Sequence, residues 1–147
     1  MSIEKYSDAL LPMQEPYMSQ IVNGTKNYEF RKYRIRPDVR RVWFYLNKPD
    51  SCIKYICEIA PAQTCNKGDP PLEEDGLGNQ EFNTRHKDWN GYDYAYKILS
   101  LYELHQPISL SEMRSAYNMK CAPRGLVFVP DLIKRTVVWN NQKQLRE

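Results

Sequence analysis

Ile21-Val22-Asn23-Gly24-Thr25-Lys26-Asn27-Tyr28-Glu29-Phe30-Arg31-Lys32 changes its periodicity in the middle. Upstream, Tyr17, Met18, Ile21 and Val22 recur at helical spacing behind Glu15-Pro16, which places proline at the first helical position. Gly24 supplies a C-terminal cap, so the spacing predicts a short helix over 15–23. Downstream, residues 27–33 alternate, with Tyr28 and Phe30 on one face and Glu29, Arg31 and Tyr33 on the other. The chain therefore passes straight from a helix end into a strand.

Two further strands follow. Arg41 to Asn47 and Cys52 to Ala60 are aromatic and β-branched, and Lys48-Pro49-Asp50-Ser51 supplies turn residues between them, which predicts a hairpin. Pro61 to Asn90 is polar and acidic, with Asp69-Pro70-Pro71 and Gly76-Leu77-Gly78. It reads as a mobile insertion or lid, within which Gln80 to Trp89 has the makings of a short helix. Tyr92 to Leu104 resumes alternation as a long, bent strand. Pro107, Ser109 and Glu112 form a capping box ahead of a helix over 110–117, and Gly125 to Val129 is an apolar strand. The extension 131–147 fits either a strand over Arg135 to Trp139 or a helix from Leu132. About six strands and two or three helices predict an α+β fold, most simply a small bent barrel.

The chain has 147 residues, the size of one domain, with 41% hydrophobic and 27% charged residues, a globular composition that excludes wholesale disorder. No apolar run is long enough for a membrane helix, and the first sixteen residues carry neither the basic nor the apolar region of a secretory signal. An intracellular protein, cytoplasmic or nuclear, is expected. Cys52, Cys57, Cys65 and Cys121 contain no CxxC pair, and the odd spacing of Cys52 and Cys57 puts them on opposite faces of a regular strand. They read as buried thiols, and no metal or cofactor is expected. His86 and His105 have no ligand spacing and read as surface residues, and no P-loop, Gly-x-Gly-x-x-Gly or Gly-x-Ser-x-Gly occurs.

Net charge is only +3, but it is unevenly placed. Between Lys26 and Arg41 seven basic residues stand against Glu29 and Asp38, a net +5, whereas Asp69 to Glu81 carries five acids and no base. Lys32, Arg34, Arg36, Arg40 and Arg41, interleaved with Tyr28, Phe30 and Tyr33, form a stripe able to attract phosphate and stack bases. A solvated strand and turn, or a surface that docks an acidic partner or the chain's own acidic insertion, uses the same residues.

The opening stretch resembles the signature of the ASCH domains, a branch of the PUA-like fold, in which a helix ends at Gly-x-Lys-x-x-Glu-x-Arg. Gly24, Lys26, Glu29 and Arg31 supply all of it. The resemblance continues through Val42-Trp43-Phe44-Tyr45, Lys48-Pro49, Tyr94-Ala95-Tyr96-Lys97-Ile98, Gln106-Pro107-Ile108-Ser109-Leu110 and Ala122-Pro123-Arg124-Gly125, most of residues 10–130. The segment Pro61 to Trp89 and the tail after Pro130 depart from the compact pattern. The resemblance implies a five- or six-stranded barrel with a ligand cleft beside the signature. It also implies recognition of RNA or modified bases, with some members acting as enzymes on RNA or acetylated cytidine.

Glu29 and Arg31, two apart on a strand, emerge on one face roughly 7 Å apart, and Lys26 can reach the same space. Glu29 can bind a base edge while Arg31 and Lys26 engage phosphate or carbonyl oxygens, with Tyr45 or Tyr94 as stacking wall and Arg124 as a further contact. The favoured reading is a binding module for RNA or DNA, including a modified base. The alternative is a small hydrolase. In the amidohydrolase members, resemblance would make Lys26 a base or water activator, but Glu29 stands where those enzymes carry a threonine nucleophile. A carboxylate there can act only as a base toward water, with Glu58 as a candidate partner.

Overall fold

The computed structural model describes residues 7–147; residues 1–6, within the stretch expected to lack a leader, lie outside the described residues. Strands β1 (Ser7–Met13), β2 (Tyr28–Arg31), β3 (Val39–Leu46), β4 (Cys52–Ile59), β5 (Tyr94–Ser109), β6 (Val127–Phe128) and β7 (Lys143–Arg146) form one curled mixed sheet, a half-barrel. Its order is β2-β5-β4-β3-β1-β6, with β7 also on β5. Helices α1 (Tyr17–Val22), α2 (Asn79–Asn83), α3 (Leu110–Ala116) and α4 (Asp131–Thr136) are short, and two 3₁₀ turns occupy Lys87–Trp89 and Trp139–Asn141. No helix among the described residues is long and apolar enough to cross a membrane.

The α+β class and bent barrel match the sequence reading, with seven strands among the described residues in place of about five or six. The unforeseen members are β1 and β7. β1 runs parallel to β3, and β6 pairs antiparallel on its other edge. Ala9, Leu10 and Leu11 are all fully buried because both faces of β1 are covered, so the strand reads as a continuous apolar run without alternation. Pro12 lies beyond the β6 pairing, which ends at Leu10, where a missing N–H is tolerated. The strand foreseen over 125–129 shortens to Val127–Phe128, and the tail resolves as α4, a 3₁₀ turn and β7.

Each face of the sheet carries a core. Ala9, Leu11, Val42, Phe44, Cys57 and Leu101 form the first, covered by Met18 and Ile21 of α1. Leu10, Trp43, Tyr45, Ile56 and Tyr102 form the second, covered by Met113 of α3 and Ile133 of α4. Helix α3 begins as the capping box predicts, with Ser109 Oγ accepting from the Glu112 N–H at 3.1 Å. Beneath the second core, Asp8 is buried and accepts hydrogen bonds from Trp43 Nε1 at 2.9 Å and Arg41 Nε at 3.0 Å, and Arg41 stacks on Trp139.

Register corrects the cysteine parity. Tyr55 stands opposite Phe44 but Ile53 opposite Tyr45, so Lys54 is an extra residue, a β-bulge. It reverses the alternation and brings Cys52 to the same face as Cys57. Nor are all four thiols buried: Cys57 is, Cys52 and Cys65 are half-buried, and Cys121 is exposed. Burial, reinforced by the charge of Glu29, pushes the Cys57 thiol far above its usual range. A thiol-exchange reagent is therefore expected to modify Cys121 first and to reach Cys57 only on unfolding; early modification of Cys57, read by peptide mass mapping, would contradict this packing.

Candidate functional site

Gly24, at φ +85°, turns the chain out of α1 in a conformation that suits glycine, and its N–H donates to the Ile21 carbonyl at 3.2 Å. Asn23 Oδ1 accepts from the Thr25 N–H and hydroxyl, and the Lys26 N–H donates to the Gln20 carbonyl. The glycosylation-like triplet Asn23-Gly24-Thr25 is thus a hydrogen-bonded turn that delivers Lys26 to the start of β2.

β2 pairs antiparallel with β5, placing Glu29 opposite Tyr96 and Arg31 opposite Tyr94. As the alternation predicts, Tyr28 and Phe30 take the other face, packing with Leu72 and Phe82. Lys26, Glu29 and Arg31 meet in one cleft with a cavity volume of about 430 Å³. Glu29 is buried, with Lys26 Nζ at 3.5 Å from one carboxylate oxygen and Arg31 Nη2 at 3.3 Å from the other. Both contacts are long for charge-assisted bonds, which settle near 2.7–2.9 Å. Arg31 Nη2 also donates to the Pro12 carbonyl at 3.4 Å, while its buried Nε has no hydrogen-bond partner. Three charged groups are therefore gathered without being saturated, and the two cations retain donor capacity for an incoming oxygen.

The walls are aromatic. Lys26 Nζ lies 5.1 Å from the Tyr17 ring centroid and 5.8 Å from that of Phe30, and Trp89 meets Phe30 edge-on at 4.9 Å. Tyr92 continues this wall, while Gln14, Asn47 and Asp88 add polar groups. Cations held over ring faces remain favourable in a partly dry site, and exposed rings can stack a base. The cleft lining contains no Ser, Thr or Cys, so among side chains it offers carboxylates, amides, phenols, one ammonium and one guanidinium for chemistry.

The segment 61–90, expected as a polar, acidic insertion able to form a short helix over Gln80 to Trp89, carries α2 and a 3₁₀ turn there and buries Leu72, Asn79 and Phe82. It seats on the signature turn: Asn79 Nδ2 donates to Asn27 Oδ1 at 3.0 Å, Asn27 Nδ2 to Asp75 at 2.9 Å, and the Leu77 N–H to the Thr25 carbonyl at 2.8 Å. Asp75, Glu74 and Asp69 are engaged by Asn27, Asn83 and Thr64 respectively.

Several anticipated site residues lie elsewhere. Tyr45 is buried in the second core and lines no part of the cleft. Tyr94 shares a face with Arg31 but packs against the first core, and Arg124 is exposed in the bend before β6. Glu58 pairs in register with Arg41 and accepts from Ser100 Oγ at 2.8 Å, on the sheet face opposite Glu29. Of the stripe, Lys32, Tyr33, Arg34 and Arg36 occupy a loop after β2, pinned where the Ile35 N–H donates to the Tyr96 hydroxyl at 2.6 Å. Burial raises the Tyr33 phenol, with Arg31 beside it opposing the shift. Arg36 is paired with Asp38, Arg40 is half-buried at the start of β3, and Arg41 is drawn inward by Asp8. The sequence reading missed Tyr17 and Tyr92 as wall residues; Gly91 beside Trp89 was the available signal that the insertion turns back there.

The ASCH domain family model matches residues 11–96. The chain belongs to the ASCH family. Every residue that lines the cleft, from Pro12 to Tyr92, falls inside the matched part of this ASCH domain. Among solved structures, the ASCH protein of Zymomonas mobilis is similar at 18% identity with a TM-score of 0.63, covering 90% of this chain and 94% of that one. A single-substitution variant of that protein aligns at 18% identity and TM-score 0.62, over 92% of this chain and 97% of its own. These likenesses are of fold and extend through the elements beyond residue 96. No curated protein matches the chain. Among the described residues of this ASCH domain, no group of three or more His, Cys, Asp or Glu side chains is placed to hold a metal ion.

Proposed function

We propose that this ASCH protein binds single-stranded RNA by taking one base into the cleft floored by Lys26, Glu29 and Arg31. The observation that carries this reading is the unsaturated charge cluster at the bottom of an aromatic-walled cleft. A ligand carbonyl or phosphate oxygen satisfies Lys26 or Arg31, an exocyclic amine can donate to Glu29, and Tyr17 or Tyr92 supplies a stacking face. A base whose exocyclic group is modified fits the same donors and acceptors. Catalytic amide hydrolysis at acetylated cytidine receives less support, because the cleft has no hydroxyl or thiol nucleophile beyond phenols and Glu58 lies on the other face of the sheet.

Fluorescence anisotropy with labelled single-stranded RNA and DNA of one sequence, across a salt series, tests the reading. Affinity should fall with salt, and Arg34→Ala, at an exposed position on the loop after β2, should lower the log–log slope by about 0.7. Binding that ignores salt, or no binding to either strand, would sink it. Incubation with N4-acetylcytidine supplies the counter-test: cytidine release that disappears in Lys26→Met would favour the hydrolase.

A further inference from the structure

The insertion builds a second cavity, about 370 Å³, that shares Trp89 and Tyr92 with the signature cleft. Those two residues line both cavities, so the spaces are neighbours divided by one aromatic ridge. The ridge is a defined piece of backbone. Asn90 has φ −56° and ψ 129°, Gly91 has φ +89°, and the Tyr92 N–H donates to the Trp89 carbonyl at 3.0 Å, which together make a type II β-turn. Only glycine adopts that third position without strain, and the turn sets the two rings side by side with centroids 5.8 Å apart.

We infer, building on the RNA-binding reading, that this second cavity is a subsite for the adjacent nucleotide, so that the ligand is a single strand crossing the Trp89–Tyr92 ridge. Its volume is within the span of small-ligand pockets, about 300–1,000 Å³, and its floor includes the buried ring of Phe82. Its cations suit a phosphate. Lys87 is exposed on the rim, and Lys32 holds its ammonium 5.0 Å from the Tyr92 ring centroid, beside the crossing point. Arg85 is anchored by Nε and Nη2 on the Cys65 carbonyl, and its Nη1 meets Asp93 at 3.8 Å with both side chains 55% exposed, a loose and solvent-screened contact in which a phosphate can replace the carboxylate. A lone nucleoside fills one cavity only. An extended strand uses the signature cleft for one base, the ridge for stacking, and the cations beyond it for the following phosphate.

Calorimetric titration of a mononucleotide and a tetranucleotide of the same base separates the two sites. The tetranucleotide should bind at least about tenfold more tightly. Lys87→Glu should remove most of that advantage and leave mononucleotide affinity unchanged, whereas Lys26→Met should weaken both. Asp93→Asn, which removes the carboxylate facing Arg85 Nη1 and leaves the guanidinium anchored on the Cys65 carbonyl, should strengthen tetranucleotide binding, a gain that a folding defect cannot produce. Tetranucleotide affinity altered by less than about twofold in both Lys87→Glu and Asp93→Asn overturns the second subsite while leaving the signature cleft standing. Failure of wild-type protein to bind either ligand overturns both.

Discussion

Lys26→Met is expected to weaken binding of single-stranded RNA by roughly 10- to 100-fold while the domain stays folded, since a hydrogen bond to a charged group contributes about 1.5–3 kcal/mol. The substitution keeps an unbranched side chain and removes the ammonium that lies over the Tyr17 and Phe30 rings. Glu29 is not stranded, because Arg31 still faces one oxygen at 3.3 Å and the Phe30 N–H donates to the other at 3.2 Å. The loss therefore falls on the ligand rather than on the fold. Lys26→Arg restores charge with a planar, bulkier head, and partial recovery is expected. Wild-type affinity in Lys26→Met, measured by anisotropy alongside a thermal melt, would remove the cleft from the binding mechanism.

The largest loss of stability should come from a residue outside the cleft. Asp8→Ala is expected to cost about 3–5 kcal/mol, the usual result of removing one member of a buried ion pair. The Asp8 side chain is 1% exposed and Arg41 only 16%, and the carboxylate takes both the guanidinium and the Trp43 indole N–H. Its removal leaves a largely buried guanidinium and an indole donor without their acceptor beside the second core. Asp8→Asn keeps one acceptor oxygen and should lose less. Urea unfolding of the three proteins gives the comparison, and a midpoint unchanged in Asp8→Ala would show that the pair contributes nothing net. The same geometry predicts that Arg41→Ala acts on stability and hardly on RNA affinity, which separates it from Arg34.

Arg41 illustrates why part of the site was illegible. In sequence it is one more cation in a basic run, and its partner lies thirty-three residues upstream in a strand with no alternation to announce it. Tyr45 was misplaced for a related reason: nothing local says which face of β3 turns toward α1 and which toward α3 and α4. Glu58 follows the same parity and ends on the wrong face for Glu29. The bulge at Lys54 shows how one extra residue reverses a parity argument that is sound for a regular strand.

What the sequence by itself determined is local and periodic. The helix end at Gly24, the opposed faces of β2, the β3–β4 hairpin, the capped start of α3 and the meeting of Lys26, Glu29 and Arg31 all depend on spacing over a few residues, where backbone geometry leaves few choices. Tertiary structure alone decided the rest. The parallel β1, the pairing of β7 with β5, the choice of sheet face for Tyr45 and Glu58, and the seating of the insertion on Asn27 depend on partners 30 or more residues away. Such contacts are selected by what the folded sheet leaves uncovered, and it is that seating which brings Trp89 and Tyr92 to the wall of the cleft.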